Sequence, residues 1–388
     1  MTAQAQERPV MADPASSWRD SLIGLRNRVI CNPRFQRWAA ASPLTRFIAR
    51  RRARALFDLC AGFVYSQVLA AFVQLRFCDH LADGPRSVDA LARLTDLTPE
   101  AARRLLRAAA SLGLVRLMPG ERYALDDLGA SMIGNPSVVA FIAHHAMLYD
   151  DLRDPVALLR GQTQTRLSQF WPYAGDRPQT ASEAEASPEG YAGYSVLMAQ
   201  SQALVAEDIL EAWPMTRHRR LLDVGGGEGV FIAQAAAQAP GLQLQLFDLP
   251  PVAARAQEAL ARRGLASRVD CIGGSFLRDP LPRGADIISL VRILHDHDDE
   301  SALALLRAVH AALPSGGTLL IAEPMAGTPG AEPIGDAYFG FYLLAMGRGR
   351  ARRPEELKQL LQVAGFVESR VLATRRPLLA GAMVAKKL

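Results

Sequence analysis

The chain holds 388 residues, 49% of them apolar, which is enough for two domains with separate hydrophobic cores. Its net charge of +5 is uneven, because residues 1–60 carry eleven arginines against four acids and the remainder is slightly acidic. No charge-free apolar run of about 18 residues and no basic-then-apolar leader is present, which argues against spanning and secretion and for a cytoplasmic protein.

In chain order, residues 1–54 read as a basic arm. The stretch RFQRWAAASPLTRFIARRRARALF interleaves Phe35, Trp38, Leu44, Phe47 and Ile48 with arginines, a mixture suited to a membrane surface or another acidic partner. An arm that packs its few apolar residues on the body fits the same pattern. Residues 56–83 are apolar nearly all round at helical length, which predicts a helix buried on several sides, most simply in a dimer core. Thr98 then caps a helix from Pro99 with Glu100 in its first turn, Gly113 ends it, and two short strands flank Pro119-Gly120. Residues 55–160 are thus a winged-helix unit. Such a unit can read DNA, with Arg103, Arg104 and Arg107 on its second helix, and the non-enzyme alternative is a ligand-sensing regulator. Alanine and leucine fill the other turns of that helix, so nothing suited to base edges accompanies the arginines and no nucleic acid is expected.

Residues 161–194, rich in Gln, Ser, Pro, Ala and Gly, read as a linker. From 195 to 388, strands alternate with helices: RRLLDV, LQLQLFD, VDCIGG, ADIISLV, TLLIAE, ESRVLAT and AMVAKKL. The fold expected is α/β, a seven-stranded doubly wound Rossmann-like domain whose last two strands form a hairpin, preceded by the helical winged-helix domain. Cys31, Cys60, Cys78 and Cys271 lie far apart without a CxxC pair, so neither a disulfide framework nor a zinc ribbon is expected.

The segment LLDVGGGEG (221–229) follows a strand and opens a helix. Its glycines let the backbone turn sharply and approach a nucleotide-like ligand at a helix N-terminus. The dinucleotide spacing G-x-G-x-x-G fails, because Val230 and Ile232 occupy the places a third glycine would take. Asp223 just before Gly225 and Gly227 suits a ligand carrying an ammonium and a sulfonium better than a pyrophosphate. Asp248, ending the second strand, stands where an acid can accept from ribose hydroxyls, although an acid there can also cap the next helix. His295 lies in HDHDDE after the fourth strand, at the end of the sheet where ligands bind. Three other readings of that segment stay open on spacing: Asp298, Asp299 and Glu300 cap a helix, the histidine decorates a loop, or His295 and His297 chelate a metal.

With DVGGGEG (223–229), FDLP (247–250), GGSF (273–276), LHDHDDE (294–300), IAEP (321–324) and VAGF (363–366) in this order, residues 55–388 resemble the O-methyltransferase family of plant phenolic and bacterial secondary-metabolite enzymes. The resemblance implies a homodimer, S-adenosyl-L-methionine held by Asp223, Gly225, Gly227, Asp248 and Leu249, adenine contacts at Ser275 and Phe276, and no metal. It implies that His295 is the catalytic base, oriented by Glu323, and that acceptor contacts come from segments 141–149 and 336–346, with His144, Tyr149, Phe339, Tyr342 and Met346 as candidates. At helical spacing the last three fit core packing equally well.

Three positions depart from the family pattern. Ser275 replaces an aspartate, the position often occupied by lysine falls on Val291 with Arg292 adjacent as the candidate cationic contact to the cofactor, and a second glutamate expected to flank the histidine falls on Ala351. From residue 42 onward the chain also resembles the hydroxycarotenoid O-methyltransferases of purple phototrophs, which implies a hydrophobic hydroxylated acceptor, an acyclic carotenoid with a tertiary hydroxyl such as demethylspheroidene. A phenolic or polyketide acceptor is the alternative. The basic arm would then serve peripheral contact with the membrane that dissolves such an acceptor.

Overall fold

A computed structural model describes residues 18–170, 202–377 and 379–388. The first seventeen residues of the arm, and the part of the linker beyond 170, lie outside the described residues. The arm begins with α1 (Trp18–Ile30) and α2 (Pro33–Ala41), the latter capped by Asn32, whose side chain accepts from the N–H groups of Arg34 and Phe35. Both lead into α3 (Arg46–Gln74), a 29-residue helix that runs without a break across residue 54.

The helix expected over 56–83 is corrected in two respects. It begins ten residues earlier and ends at Gln74, and Arg76 takes a left-handed φ of 54° before the short α4 (Phe77–Leu81). Within one chain it is not buried on several sides: only Ala70 and Phe72 of α3 are buried, while Leu56, Phe57, Leu59 and Phe63 are exposed. The physical reason is that one chain has too little surface to wrap a helix that is apolar on every side. By length and composition α3 could also cross a membrane. The charge-free criterion missed this because Asp58 interrupts the apolar run.

The winged helix forms as its caps predict. Thr98 Oγ1 accepts from Ala101 N–H at 3.2 Å to start α6 (Pro99–Ser111), which follows α5 (Val88–Leu94). A three-stranded sheet of β1 (Arg86–Ser87), β3 (Arg122–Leu125) and β2 (Val115–Met118) turns at Gly120. Leu91, Leu106 and Tyr123 share its core. On α6, Arg103 pairs with Glu121 and Arg104 with Glu100, both at 3.2 Å, which turns two of the three arginines to the protein's own carboxylates. Helices α7 (Asp127–Met132), α8 (Pro136–Asp151), α9 (Pro155–Leu159) and α10 (Arg166–Phe170) lead to the second domain. Asp151 at the end of α8 caps α10, accepting from Arg166 N–H at 2.7 Å and Leu167 N–H at 2.9 Å.

All seven expected strands are present: β4 (Arg220–Val224), β5 (Gln243–Asp248), β6 (Val269–Gly273), β7 (Ile287–Val291), β8 (Thr318–Glu323), β9 (Val367–Leu372) and β10 (Gly381–Lys386). Their order is β6-β5-β4-β7-β8-β10-β9, parallel except for β10, which inserts antiparallel between β8 and β9 as the second arm of a hairpin. Alternate residues serve opposite faces. Leu221, Ile287 and Leu320 pack under α11 (202–212), α12 (Val230–Gln238) and α13 (Pro250–Arg262), while Leu222, Ile288 and Leu319 pack under α14 (Asp299–Ala312) and α16 (Pro354–Val363). Between β8 and α16 a π-helical turn (Pro333–Phe339) runs into α15 (Gly340–Met346). The parallel strands bring the ends of β4, β5, β7 and β8 to one edge, where the candidate residues meet.

Candidate active site

The glycine loop closes over the ends of β4 and β5. Gly225 and Gly227 have φ of +71° and +56°, a region an L side chain enters only with strain. Gly225 N–H donates to Phe247 O at 2.8 Å, and a Cβ at Gly225 would meet the Ile293 side chain, with Cγ1 at 2.9 Å. The loop therefore abuts the chain two residues before His295. Asp248 ties the other side, Oδ2 accepting from Gly227 N–H at 2.9 Å and Oδ1 from Leu249 N–H at 2.7 Å. Leu249, not Asp248, is the N-cap of α13, so the acid supports the loop instead of capping the helix. Burial raises the Asp248 carboxyl above the usual carboxylate range against those two hydrogen bonds.

Asp223 is buried beneath the loop, where Ser289 Oγ donates to its Oδ1 at 2.6 Å. Its Oδ2 has no hydrogen-bond partner among the described residues. Desolvation pushes this carboxyl up to about 7, although the Ser289 hydrogen bond opposes it. A buried acceptor with a spare oxygen beside a glycine cradle fits a ligand that brings positive charge to a close backbone approach. Ser275 N–H donates to Asp279 Oδ2 at 2.7 Å, and the Phe276 ring meets the edge of His297 at 5.3 Å.

His295 sits in the 3-10 turn Leu294–Asp296, 4% exposed. Its backbone N–H donates to Glu323 Oε2 at 3.1 Å, while its Nδ1 is 3.8 Å from the same oxygen. Glu323 is fully buried on β8, so strand pairing holds the carboxylate in place under the turn. The capping reading of the neighbouring acids is also met, since Asp298 Oδ1 accepts from Ser301 N–H at 2.8 Å to start α14. Cap and buried histidine coexist because the turn separates them. His297 is pushed down to about 4 by burial and then by His295. Among the described residues no group of three His, Cys, Asp or Glu side chains is arranged to hold a metal.

Two participants escaped the sequence reading. Asp296 Oδ1 lies 3.1 Å from His295 Nε2, and burial raises its carboxyl despite the opposing charges of His295 and Arg292. Its place directly after the histidine is the only sequence signal that marks it. Arg352, within an arginine-rich run, is fully buried against the same turn. Arg292, an expected cofactor contact, takes a left-handed φ of 60°, donates its N–H to Ala322 O at 2.7 Å, and sets its charge near Asp296, Tyr338 and Tyr342.

The expected acceptor segments do meet. His144 Nε2 and Tyr342 Oη are 2.8 Å apart, joining α8 to α15, and burial pushes the His144 imidazole down to about 4. The Phe339 ring stands edge-on to His295 at 6.3 Å, and His145 lies 6.1 Å from the Tyr149 ring. Tyr338, in the same expected segment, stacks on Tyr342 at 5.8 Å and packs near Phe141 and His145. Met346 is 2% exposed in a cluster with Leu148, Leu158 and Leu167, a packing position.

Residues 149–367 match the O-methyltransferase domain family and residues 57–134 the O-methyltransferase dimerisation domain family. The chain is 44% identical over 358 residues to a demethylspheroidene O-methyltransferase of Cereibacter sphaeroides, covering 92% of this chain and 93% of that protein. It is 41% identical over 365 residues to the protein of that name from Rhodobacter capsulatus, covering 94% and 90%. Among solved structures, CalO1, a methyltransferase in calicheamicin biosynthesis in its SAH-bound form, superposes with a TM-score of 0.72 at 26% identity, covering 87% of this chain and 98% of that one.

Proposed function

Because the chain belongs to the S-adenosylmethionine-dependent O-methyltransferase family, we propose that its acceptor is the tertiary hydroxyl of an acyclic hydroxycarotenoid of the demethylspheroidene type. The observation that carries this is the 44% identity, sustained over 92% of the chain, to an enzyme of that name. The aromatic cluster of Phe141, Tyr338, Phe339 and Tyr342, which meets His295 through Phe339, suits an extended apolar molecule that presents one hydroxyl.

S-adenosylmethionine supplies an electrophilic methyl group on a sulfonium. Asp223, Gly225, Gly227 and Asp248 would hold it, and Ser275 and Phe276 would meet its adenine. The protein's task is then to align the hydroxyl, exclude water and remove one proton. His295, with the buried Glu323 carboxyl 3.8 Å from its Nδ1, takes the hydroxyl proton as the new bond forms. Asp296, 3.1 Å from Nε2, then stabilises the imidazolium.

Asp223 gives cofactor binding a pH dependence. In the empty site its carboxyl, raised to about 7, holds a proton below that pH, and a positively charged ligand favours the carboxylate. Binding therefore releases a proton, and affinity tightens by up to about tenfold per pH unit on approaching 7 from below, then levels off. Isothermal titration across that range checks the slope. A profile unchanged in Asp223→Asn removes Asp223 as its source.

The dimerisation domain supports a homodimer, with α3 as the element that has apolar surface to cover. In the arm, which includes the first turns of α3, Arg19, Arg34, Arg37, Arg50 and Arg51 accompany exposed Trp18, Trp38 and Phe47, a composition suited to the anionic bilayer in which such an acceptor dissolves. One experiment tests acceptor and surface together. Labelled cofactor is supplied with hydroxycarotenoids or phenols in phosphatidylglycerol or phosphatidylcholine vesicles, products are identified by mass, and the protein is located by flotation. Methylation of the carotenoid, with the protein floating on anionic vesicles, is expected. Methylation of phenols alone removes the acceptor assignment, and failure to float with either vesicle removes the membrane contact.

A further inference from the structure

The geometry points to Arg352 as the positioning residue for His295, taking the place of the second glutamate that is absent at Ala351. This rests on His295 being the base. The imidazole is held directly only from within its own turn, where Asp296 Oδ1 lies 3.1 Å from Nε2: Nδ1 makes no hydrogen bond among the described residues, and Glu323 grips the backbone N–H more closely than the ring. The ring's direction is therefore inherited from the backbone of the turn Leu294–Asp296, and whatever fixes that turn aims the base.

Arg352 fixes it through a second set of hydrogen bonds, to carbonyls instead of the N–H that Glu323 takes. Its guanidinium is fully buried, Nη1 donating to Leu294 O at 2.6 Å, Nη2 to His297 O at 2.7 Å and Nε to Asp299 Oδ1 at 2.9 Å. The two carbonyls bracket His295, one residue before it and two after. No strand pairs with this turn, so without the guanidinium these carbonyls would lack those donors. Burying a guanidinium is costly unless its donors are satisfied, and the rigid planar fork meets three acceptors at once, which a lysine ammonium at the same place does not reproduce. The segment that carries Arg352 lies close along the turn: a Cβ on Gly349 would stand 2.6 Å from the Asp296 carbonyl carbon. Arg350 braces the same carboxylate, Nη2 donating to Asp299 Oδ2 at 3.0 Å.

A purely structural staple at the start of α14 would contact Asp299 too, so the test must separate folding from aim. Methyl-transfer kinetics are measured for the wild type, Arg352→Gln, His295→Gln and the double variant, with cofactor binding followed by calorimetry. Arg352→Gln is expected to lower kcat by about a hundredfold, as a base displaced by an ångström would, while cofactor affinity stays unchanged. In the His295→Gln background the same change is expected to cost almost nothing, because the residue it aims is gone. Equal losses in both backgrounds overturn the proposal and leave the base assignment standing. A normal rate in His295→Gln alone overturns the base assignment and this proposal with it. If Arg352→Gln binds no cofactor, Arg352→Lys enters the same cycle, with the same two outcomes deciding.

Discussion

Replacing His295 with glutamine lowers kcat for methyl transfer by about a hundredfold to ten-thousandfold, the range that a positioned general base contributes. Glutamine occupies similar space and can hydrogen-bond to the acceptor, but it cannot take a proton near neutral pH. The backbone bond from residue 295 to Glu323 persists in the variant, since it uses the main-chain N–H. The cofactor loop is held independently by Asp248 and Phe247 O, so cofactor affinity stays at the wild-type value. Steady-state kinetics at saturating cofactor, paired with calorimetry, separate these effects. Wild-type turnover by His295→Gln would refute the mechanism.

The second large effect is expected at Gly225. Its φ of +71° makes an alanine there strained by about 1–2 kcal/mol, and the new Cβ collides with the Ile293 side chain, an overpacking cost of about 1–3 kcal/mol. Ile293 cannot yield freely, because it is packed against the core that also holds Leu294 and Leu305. Relief must come from the loop, which withdraws the backbone from the cofactor. Gly225→Ala is thus expected to lower the melting temperature by several degrees and to weaken cofactor binding by about a hundredfold or more. Gly227→Ala is the control, since at φ of +56° its Cβ meets nothing within 4 Å and only the strain applies. Thermal melts and cofactor titrations of the two variants compare them directly. Equal effects at both positions would show that the Ile293 contact is immaterial.

Much of the fold was legible because its signals are local. A cap at Thr98, a turn at Gly120 and seven apolar runs each depend on a handful of neighbouring residues, and all are present in the structure. What local pattern did not reveal was how much of α3 one chain leaves uncovered. Helical periodicity reports which residues are apolar, not whether the same chain has surface enough to cover them. The site divides in the same way: Asp223, Gly225 and Asp248 stand in a compact motif order, whereas Asp296 and Arg352 look like unremarkable members of an acidic and a basic run.

The sequence by itself determined the strand set and marked the glycine loop and the histidine as candidates, since each rests on short-range spacing and residue chemistry, and the order of its motifs carried the resemblance to the family. Only the tertiary structure decided which groups hold that histidine. Glu323 comes from the neighbouring parallel strand and Arg352 from the chain beyond α15, 57 residues after His295. Their convergence depends on strand order and on burial that leaves the carbonyls of Leu294 and His297 to a guanidinium, a long-range requirement that residue spacing does not encode.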